Sequence, residues 1–429
     1  MKKILIVLFI VCFAFLGSLF IYNQNNNISE SNENNKKVEI TFWTLQMSDF
    51  SDYMNGIIKE YESQNPNIKI NWIDVPFSEG EKRTLASVLS DNPPDLINLN
   101  PDFSALLAQK GALQEIEPQY TKQYVPEIIE SLKYNGKIYS LPWYATSAVT
   151  IYNKQLFKKA NVEVPKTYEE MGKIAPEIKN KTNAYIWLPN ITENDTMLRI
   201  LNKYGVNSQH TIDSEKSVEV FDFFKNLYKN NLIPTETITQ THREALEKYM
   251  SENIAMFQAG ANFLNMIKEN APSTYSYTDV SSQLTGALGQ YDFSLMNFVI
   301  PLKAKNQKEA LDFALFLTNN KNQLDLARLT NIIAVNNETL KDPFYTKYYP
   351  NDLMAKARVI SAKQLKNINP SLKSERNQKE VNTLINSATQ EILLNKEDTL
   401  SILKRVSKNW KLLNSDNKNR QTSALAPQT

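Results

Sequence analysis

Trp143 and Tyr144 follow directly on Pro142, while Gln46 and Asp102 each stand just past an apolar, strand-like run. Planar rings accept clustered C–H faces of a polyhydroxylated solute, and a carboxylate and an amide accept or donate to its hydroxyls. An aromatic contact gives roughly 0.5–1.5 kcal/mol beyond buried area, and a hydrogen bond about 1 kcal/mol net. A few of each therefore reach the roughly −8 kcal/mol of micromolar binding. The same residues have plainer uses. Trp143 and Tyr144 would suit the packed end of a strand, although two neighbours in a strand cannot both face one core. Asp102, in Pro101-Asp102-Phe103, would equally suit a helix N-cap.

No covalent or metal chemistry is spelled out. The chain lacks a P-loop, His-Glu-x-x-His, Cys-x-x-Cys and Gly-x-Ser-x-Gly, so it is not expected to hydrolyse ATP or to act as an enzyme. His210 and His242, the only 2 histidines, lie in polar sequence without carboxylates or cysteines at ligand spacing. Both are expected on the solvated surface, with no metal and no cofactor.

The elements that would position these side chains begin with an alternation. Val38–Trp43 reads as a strand, Tyr53, Ile57, Ile58 and Tyr61 as a helix face capped by Ser51 or Asp52, and Ile68, Ile70 and Trp72 as a second strand. Ser78 and Glu81 form a capping box before the next helix, and Asp95–Leu99 is a third strand. Strand, helix, strand, helix, strand with short joins predicts an α/β fold with a mostly parallel sheet. Such sheets bind ligands at the carboxyl ends of their strands, which puts Gln46, Asp102, Trp143 and Tyr144 on one rim. Ile138–Leu141 reads as a strand ended by Pro142, Ala148–Tyr152 as a buried strand, and Thr167 with Glu170 as a capping box. Phe221 and Phe224, then Leu384, Ile385, Leu403 and Trp410, mark later helices.

The run Asn-Gly-Lys-Ile-Tyr-Ser-Leu-Pro-Trp-Tyr (135–144), with Ile-Tyr-Asn-Lys-Gln-Leu-Phe-Lys-Lys-Ala (151–160) and Val-Pro-Lys-Thr-Tyr-Glu-Glu-Met (164–171), resembles the extracellular solute-binding proteins of ABC importers. The sugar-binding branch, maltose-binding proteins among them, is the nearest likeness, from about Val38 to about Pro343. The resemblance implies a two-lobed periplasmic-binding-protein-like fold with a hinge, lobe 1 at 38–146 plus 292–330 and lobe 2 at 147–291 plus 331–414. It implies crossings near Ser147, Tyr291 and Ile332. It also implies a monomer that captures a neutral mono- or oligosaccharide and delivers it to the permease subunits.

Residue by residue, Asp102 matches a sugar-binding aspartate of the branch, and Trp187 lies where a second-lobe strand reaches the cleft. Gly260 matches the glycine of an Ala-Met-x-x-x-Gly turn. Asn262 stands where the branch shows a tryptophan, and Phe263 follows it, which leaves the stacking group open. Asn297 is either a satisfied strand residue or a sugar contact from a crossing strand.

Length and composition agree with this. At 429 residues two domains are expected. Lys and Arg total 48 against 46 Asp and Glu, a net of +2, with no basic block, so nucleic acid is not an expected partner. Met1–Tyr22 starts with Lys2 and Lys3 and then runs uncharged for close to a bilayer's thickness. It reads as a membrane anchor over residues 4–22, or alternatively as a cleaved export signal. Residues 23–37 read as a disordered tether and 415–429 as a loose tail. The sole cysteine, Cys12, lies in the apolar run, so the exported part has no disulfide. Competing readings are a receptor for a peptide, polyamine or glycerol phosphate, a carbohydrate-cleaving enzyme, which needs a carboxylate pair, and a surface protein that binds another protein.

Overall fold

The computed structural model describes residues 37–368, 377–395 and 397–424, and the backbone alone at 77, 78, 81 and 416–424. The expected anchor at 1–22 and the tether up to 36 lie outside the described residues. Among the described residues no helix is long and apolar enough to cross a membrane. The chain divides into two compact units, Met1–Ile97 with Lys303–Phe313, and Asn98–Leu302 with Ala314–Thr429.

In the first unit β1 (Val38–Leu45), α1 (Ser51–Gln64), β2 (Ile68–Val75), α2 (Phe77–Val88) and the start of β3 (Leu96–Leu99) follow the expected alternation. β1 is parallel to both other strands, with Phe42 opposite Trp72 and Leu96. Helices on a parallel sheet bury apolar side chains between them. Here Phe42 and Tyr61 close on Phe313 with ring centroids 5.3 and 4.8 Å away. Asp74, near the end of β2, accepts from Thr44 Oγ1 (2.6 Å) and from the N–H groups of Met47 and Ser48 (both 2.9 Å). That pins the loop carrying Gln46, whose φ of 52° is left-handed. The helix starts differ from the expected ones. Ser51 and Asp52 lie inside α1, whose N-cap Phe50 offers no side-chain bond, and α2 begins ahead of Ser78.

The second unit opens with α3 (Pro101–Gln109). Its cap is Asn100, whose Oδ1 accepts from Phe103 N–H at 2.8 Å, so Asp102 is a first-turn residue and not the cap. After a short hairpin of Lys133–Tyr134 and Lys137–Ile138 come β4 (Leu141–Thr146), β5 (Val149–Asn153), β6 (Met256–Ala259), β7 (Thr278–Ser281), β8 (Ser294–Val299) and β9 (Ile333–Ala334). β4 pairs with β8 and β9, and β5 with β6 and β7, all antiparallel where mostly parallel sheets were expected.

Pro142 does not end a strand. It sits inside β4 opposite Asn297, where the register shifts between Met296 and Asn297, and a bulge is where a sheet tolerates a residue with no N–H. Trp143 is therefore a strand residue and not an exit residue. It is 1% exposed, stacks on Phe298 at 4.7 Å, and its carbonyl accepts from Gln323 Nε2 at 2.6 Å. Gln323 Oε1 in turn takes the N–H groups of Val335 and Asn336 at 2.8 and 3.0 Å, tying β4 to the segment after β9.

Around these sheets lie α4 (Lys154–Ala160), α5 (Tyr168–Thr182), α6 (Thr196–Asn202), α7 (Glu215–Lys229), α8 (His242–Met250), α9 (Leu353–Gln364), α10 (Gln378–Leu394) and α11 (Thr399–Ala424). Thr167 caps α5 as expected, its Oγ1 accepting from Glu170 N–H at 3.1 Å. Phe221, Phe224, Ile385, Leu403 and Trp410 share one core. α11 continues through Ala424, into the segment expected to be loose from Ser415.

Between β4 and β5, and between β7 and β8, the chain passes from one sheet to the other through a closed set of hydrogen bonds. Ser147 Oγ donates to Asp292 O (3.0 Å) and accepts from Gln283 Nε2 (2.8 Å) and Gln364 Nε2 (2.9 Å). Gln283 also donates from Nε2 to Asp292 O (2.8 Å) and accepts Asp292 N–H at 3.2 Å, while its own N–H reaches Gln364 Oε1 at 2.8 Å. Gln364 Nε2 completes the set on Ala148 O at 2.9 Å.

Because Trp143 is sealed in the core, Trp143→Ala should lower unfolding stability by about 3–5 kcal/mol. Urea denaturation monitored by circular dichroism measures this, and a loss near zero would contradict the placement.

Candidate functional site

Beside these crossings the second unit holds a cavity of about 450 Å³. It is lined by the aromatic residues Tyr168, Trp187, Phe257 and Phe293, the first three largely buried, and by the polar residues Asn190, Glu193, Asp195, Arg199, His242, Gln258, Gln283 and Asp292. Tyr168 is the first residue of α5, so the Thr167 cap fixes where its ring begins. Trp187 follows Tyr185 and Ile186, whose carbonyls accept from Ala255 and Met256 N–H at 2.8 and 3.1 Å as an extension alongside β6. The Tyr168 ring lies 5.9 Å from Trp187 and 6.1 Å from Phe224.

The loop Asn190–Asp195 is fixed from outside. Asn190 Nδ2 donates to Gln240 O (2.9 Å), Thr192 Oγ1 to Ile238 O (2.9 Å), and Asn386 Nδ2 to Asn194 O (2.9 Å). Glu193 Oε2 accepts the N–H of His242 at 2.9 Å, at the positive end of α8. Asp195 Oδ2 takes Arg199 Nε at 2.8 Å, one helical turn on. Burial weakens the Arg199 charge, and Asp195, Asp292 and Asp102 more than offset it, holding the guanidinium above its ordinary value. Behind the wall, Lys203 Nζ pairs with Asp292 Oδ2 at 2.9 Å and donates to Leu284 O at 2.8 Å.

Of the residues expected to form a site, the cavity gathers Trp187 and Gly260. A Cβ on Gly260 would meet Asn262 Oδ1 at 2.6 Å, so the Asn262 amide is folded back over the turn. Phe263 packs edge-on against His242 at 5.0 Å, one layer behind the wall. Asp102 does not line the cavity, but its charge bears on Arg199. Gln46 belongs to the first unit, whereas the cavity lining lies within the second.

Trp143 is buried, and Tyr144, half-buried with its phenol pushed up to about 12 by burial, meets Trp143 edge-on at 5.0 Å. Neither lines this cavity. Asn297 is fully buried in β8, away from the cavity lining; its Nδ2 donates to Ser104 Oγ at 2.7 Å, while among the described residues its Oδ1 has no partner. His242 is not a solvated surface residue as expected, because it lines the cavity and burial pushes its imidazole down. His210 is exposed. Among the described residues no group of three or more His, Cys, Asp or Glu is placed to hold a metal ion. Sequence reasoning missed Tyr168, Glu193, Asp195, Arg199 and Asp292. The one signal it held was the Thr167 capping box, which fixes Tyr168.

Helix-covered β-strands and two crossings beside a mixed aromatic and polar cavity define an α/β chain of the periplasmic-binding-protein class. The chain belongs to the bacterial extracellular solute-binding protein family, which it matches over residues 56–351, and family membership places it outside the cytoplasm. It is 26% identical over 325 residues to the multiple sugar-binding protein of Streptococcus mutans, covering 68% of this chain and 74% of that one. A periplasmic-binding protein from Synechococcus sp. MITs9220 superposes with a TM-score of 0.77 at 26% identity, covering 88% of this chain and 99% of its own. The sugar-binding protein MalE from Xanthomonas citri shares the fold with a TM-score of 0.73 at 18% identity, covering 90% and 99%.

The His242 shift predicts a pH dependence. Its folded value lies below the ordinary 6.5, so on acidification the unfolded chain takes up this proton first. The stability held above about pH 6.5 is then lost as pH falls towards the folded value. Urea midpoints at pH 8 and pH 5.5 should therefore fall less in His242→Gln than in the wild type, and equal falls would contradict the burial.

Proposed function

We propose that the protein is a receptor that captures a neutral sugar or oligosaccharide in this cavity and hands it to the transmembrane subunits of an ABC importer. The observation that carries the reading is a member of the solute-binding family whose cavity sets aromatic rings beside hydrogen-bonding side chains. Rings suit pyranose C–H faces, and Asn190, Gln258 and Arg199 suit hydroxyls. A volume of about 450 Å³ falls within the roughly 300–1,000 Å³ of small-molecule pockets. Relatives named for multiple sugars and for maltotriose support the sugar class.

In this reading the lobes 38–146 plus 292–330 and 147–291 plus 331–414 close on the solute. The closed state is favoured only by as much as the solute binds it better. Residues 4–22 would tether a monomer to the membrane. The protein binds and does not cleave, because each wall carboxylate already has a partner: Asp195 has Arg199, Asp292 has Lys203, and Glu193 has the start of α8. A polyamine is the second reading, favoured by those three carboxylates in the lining. A phosphate is not, since Arg199 is the one cation among the lining residues and is already paired.

Calorimetry with a panel of neutral oligosaccharides and spermidine tests this. At least one oligosaccharide should bind at a single site with micromolar affinity and yield no new reducing ends. Trp187→Ala should weaken it at least 10-fold, about 1.4 kcal/mol. Binding of spermidine alone, or unchanged sugar affinity in Trp187→Ala, would overturn the reading.

A further inference from the structure

We infer that Lys203 is a positioning residue. It fixes a donor and an acceptor, the Tyr168 hydroxyl and the Asp292 carboxylate, in the cavity wall, and that pair reads an uncharged hydroxyl of the solute and turns anions away. The inference rests on the sugar-receptor reading of the cavity.

A lysine is almost never fully buried unless paired, and the Lys203 side chain is 1% exposed. Two of its protons are committed, to Leu284 O at 2.8 Å and Asp292 Oδ2 at 2.9 Å. The third reaches the Tyr168 hydroxyl, which Gln258 of the cavity wall also contacts, on a ring whose centroid is 5.6 Å away. Lys203 does not line the cavity, whereas Tyr168 and Asp292 both do. Burying an ammonium is costly, and an apolar side chain of similar size is often at least as stabilising. Packing alone therefore gives no reason for a lysine here, while the arrangement of its two partners does.

Those partners are held from both ends. The Asp292 backbone is clamped by Ser147 and Gln283. Among the described residues its Oδ1 accepts from none, so Lys203 is the donor its carboxylate has. The Tyr168 ring is wedged against Trp187 and Phe224, and burial keeps its phenol protonated. With its oxygen turned to an ammonium, Tyr168 can offer its proton to the cavity. A donor beside a carboxylate complements a hydroxyl, which both gives and takes a hydrogen bond. An anionic oxygen only accepts, and it would meet Asp292 together with Glu193 and Asp195 in the same wall.

The test compares wild type, Asp292→Asn, Lys203→Met and the double variant. Each is measured by calorimetry with maltotriose, cellotriose, raffinose and trigalacturonic acid, and by thermal unfolding. A neutral trisaccharide should bind the wild type at least 10-fold more tightly than trigalacturonic acid does. Asp292→Asn should lose at least 10-fold in that affinity. Lys203→Met should lose both affinity and Tm, and the double variant should regain most of the Tm without regaining the affinity. A purely structural lysine predicts that restored Tm restores affinity.

Wild-type affinity in Asp292→Asn and in the double variant would overturn the role of Lys203 and leave the receptor reading standing. If Lys203→Met does not fold, those two variants still decide. Failure of every neutral trisaccharide to bind the wild type would overturn the receptor reading, and this inference with it.

Discussion

Where the second unit passes between its two sheets, buried polar groups must find partners or cost about 1–3 kcal/mol each, and here they are closed into one circuit. Ser147 uses its single proton and both acceptor positions, and Gln283 and Gln364 use both protons of their amides. Gln283 and Gln364 are each 2% exposed. A circuit with every member satisfied has one geometry, so it fixes the directions in which the crossings leave it. The cavity is built on those directions. Asp292 contributes its backbone to the circuit and its carboxylate to the wall, and Ser147 and Gln283 belong to both. Loosening any member would move the wall.

Much of the scaffold was legible because local rules and global packing agree there. The alternation of β1, α1, β2, α2 and β3 follows from periodicity alone, and the Thr167 cap from four residues. α9 was not legible, since its buried side consists largely of Ala355, Ala357, Ser361, Ala362 and Gln364, which leave no apolar stripe to read. Pro142 misled in the opposite direction. A proline reads as a strand end unless the chain is known to bulge beside it, and the extra residue here, Trp143 between Pro142 and Tyr144, shows only in the pairing with Met296 and Asn297 of the distant β8.

The site was less legible than the fold for a related reason. Trp143 and Tyr144 were read as rim residues from their types and neighbours, yet Phe298 and Gln323, far off in sequence, make Trp143 a core residue. Lys203 and Asp292 lie on segments that only the tertiary fold joins, and nothing in the residues around either announces the pair. Asparagine has a structural use that the sequence reading did not foresee. With only 10 glycines in the chain, Asn135, Asn161, Asn183, Asn190, Asn194 and Asn231 take left-handed backbone positions that glycine commonly fills. Asn190 and Asn194 do so in the loop that carries Glu193 to the cavity.

Amide hydrogen exchange followed by mass spectrometry, with and without a saturating oligosaccharide, measures whether this cavity is where solute is held. Slowed exchange should concentrate in 187–200, 242–260 and 292–294, while the circuit amides of Gln283 and Asp292 are already slow without solute. Protection confined to other segments, or none at a concentration that saturates binding, would contradict the account.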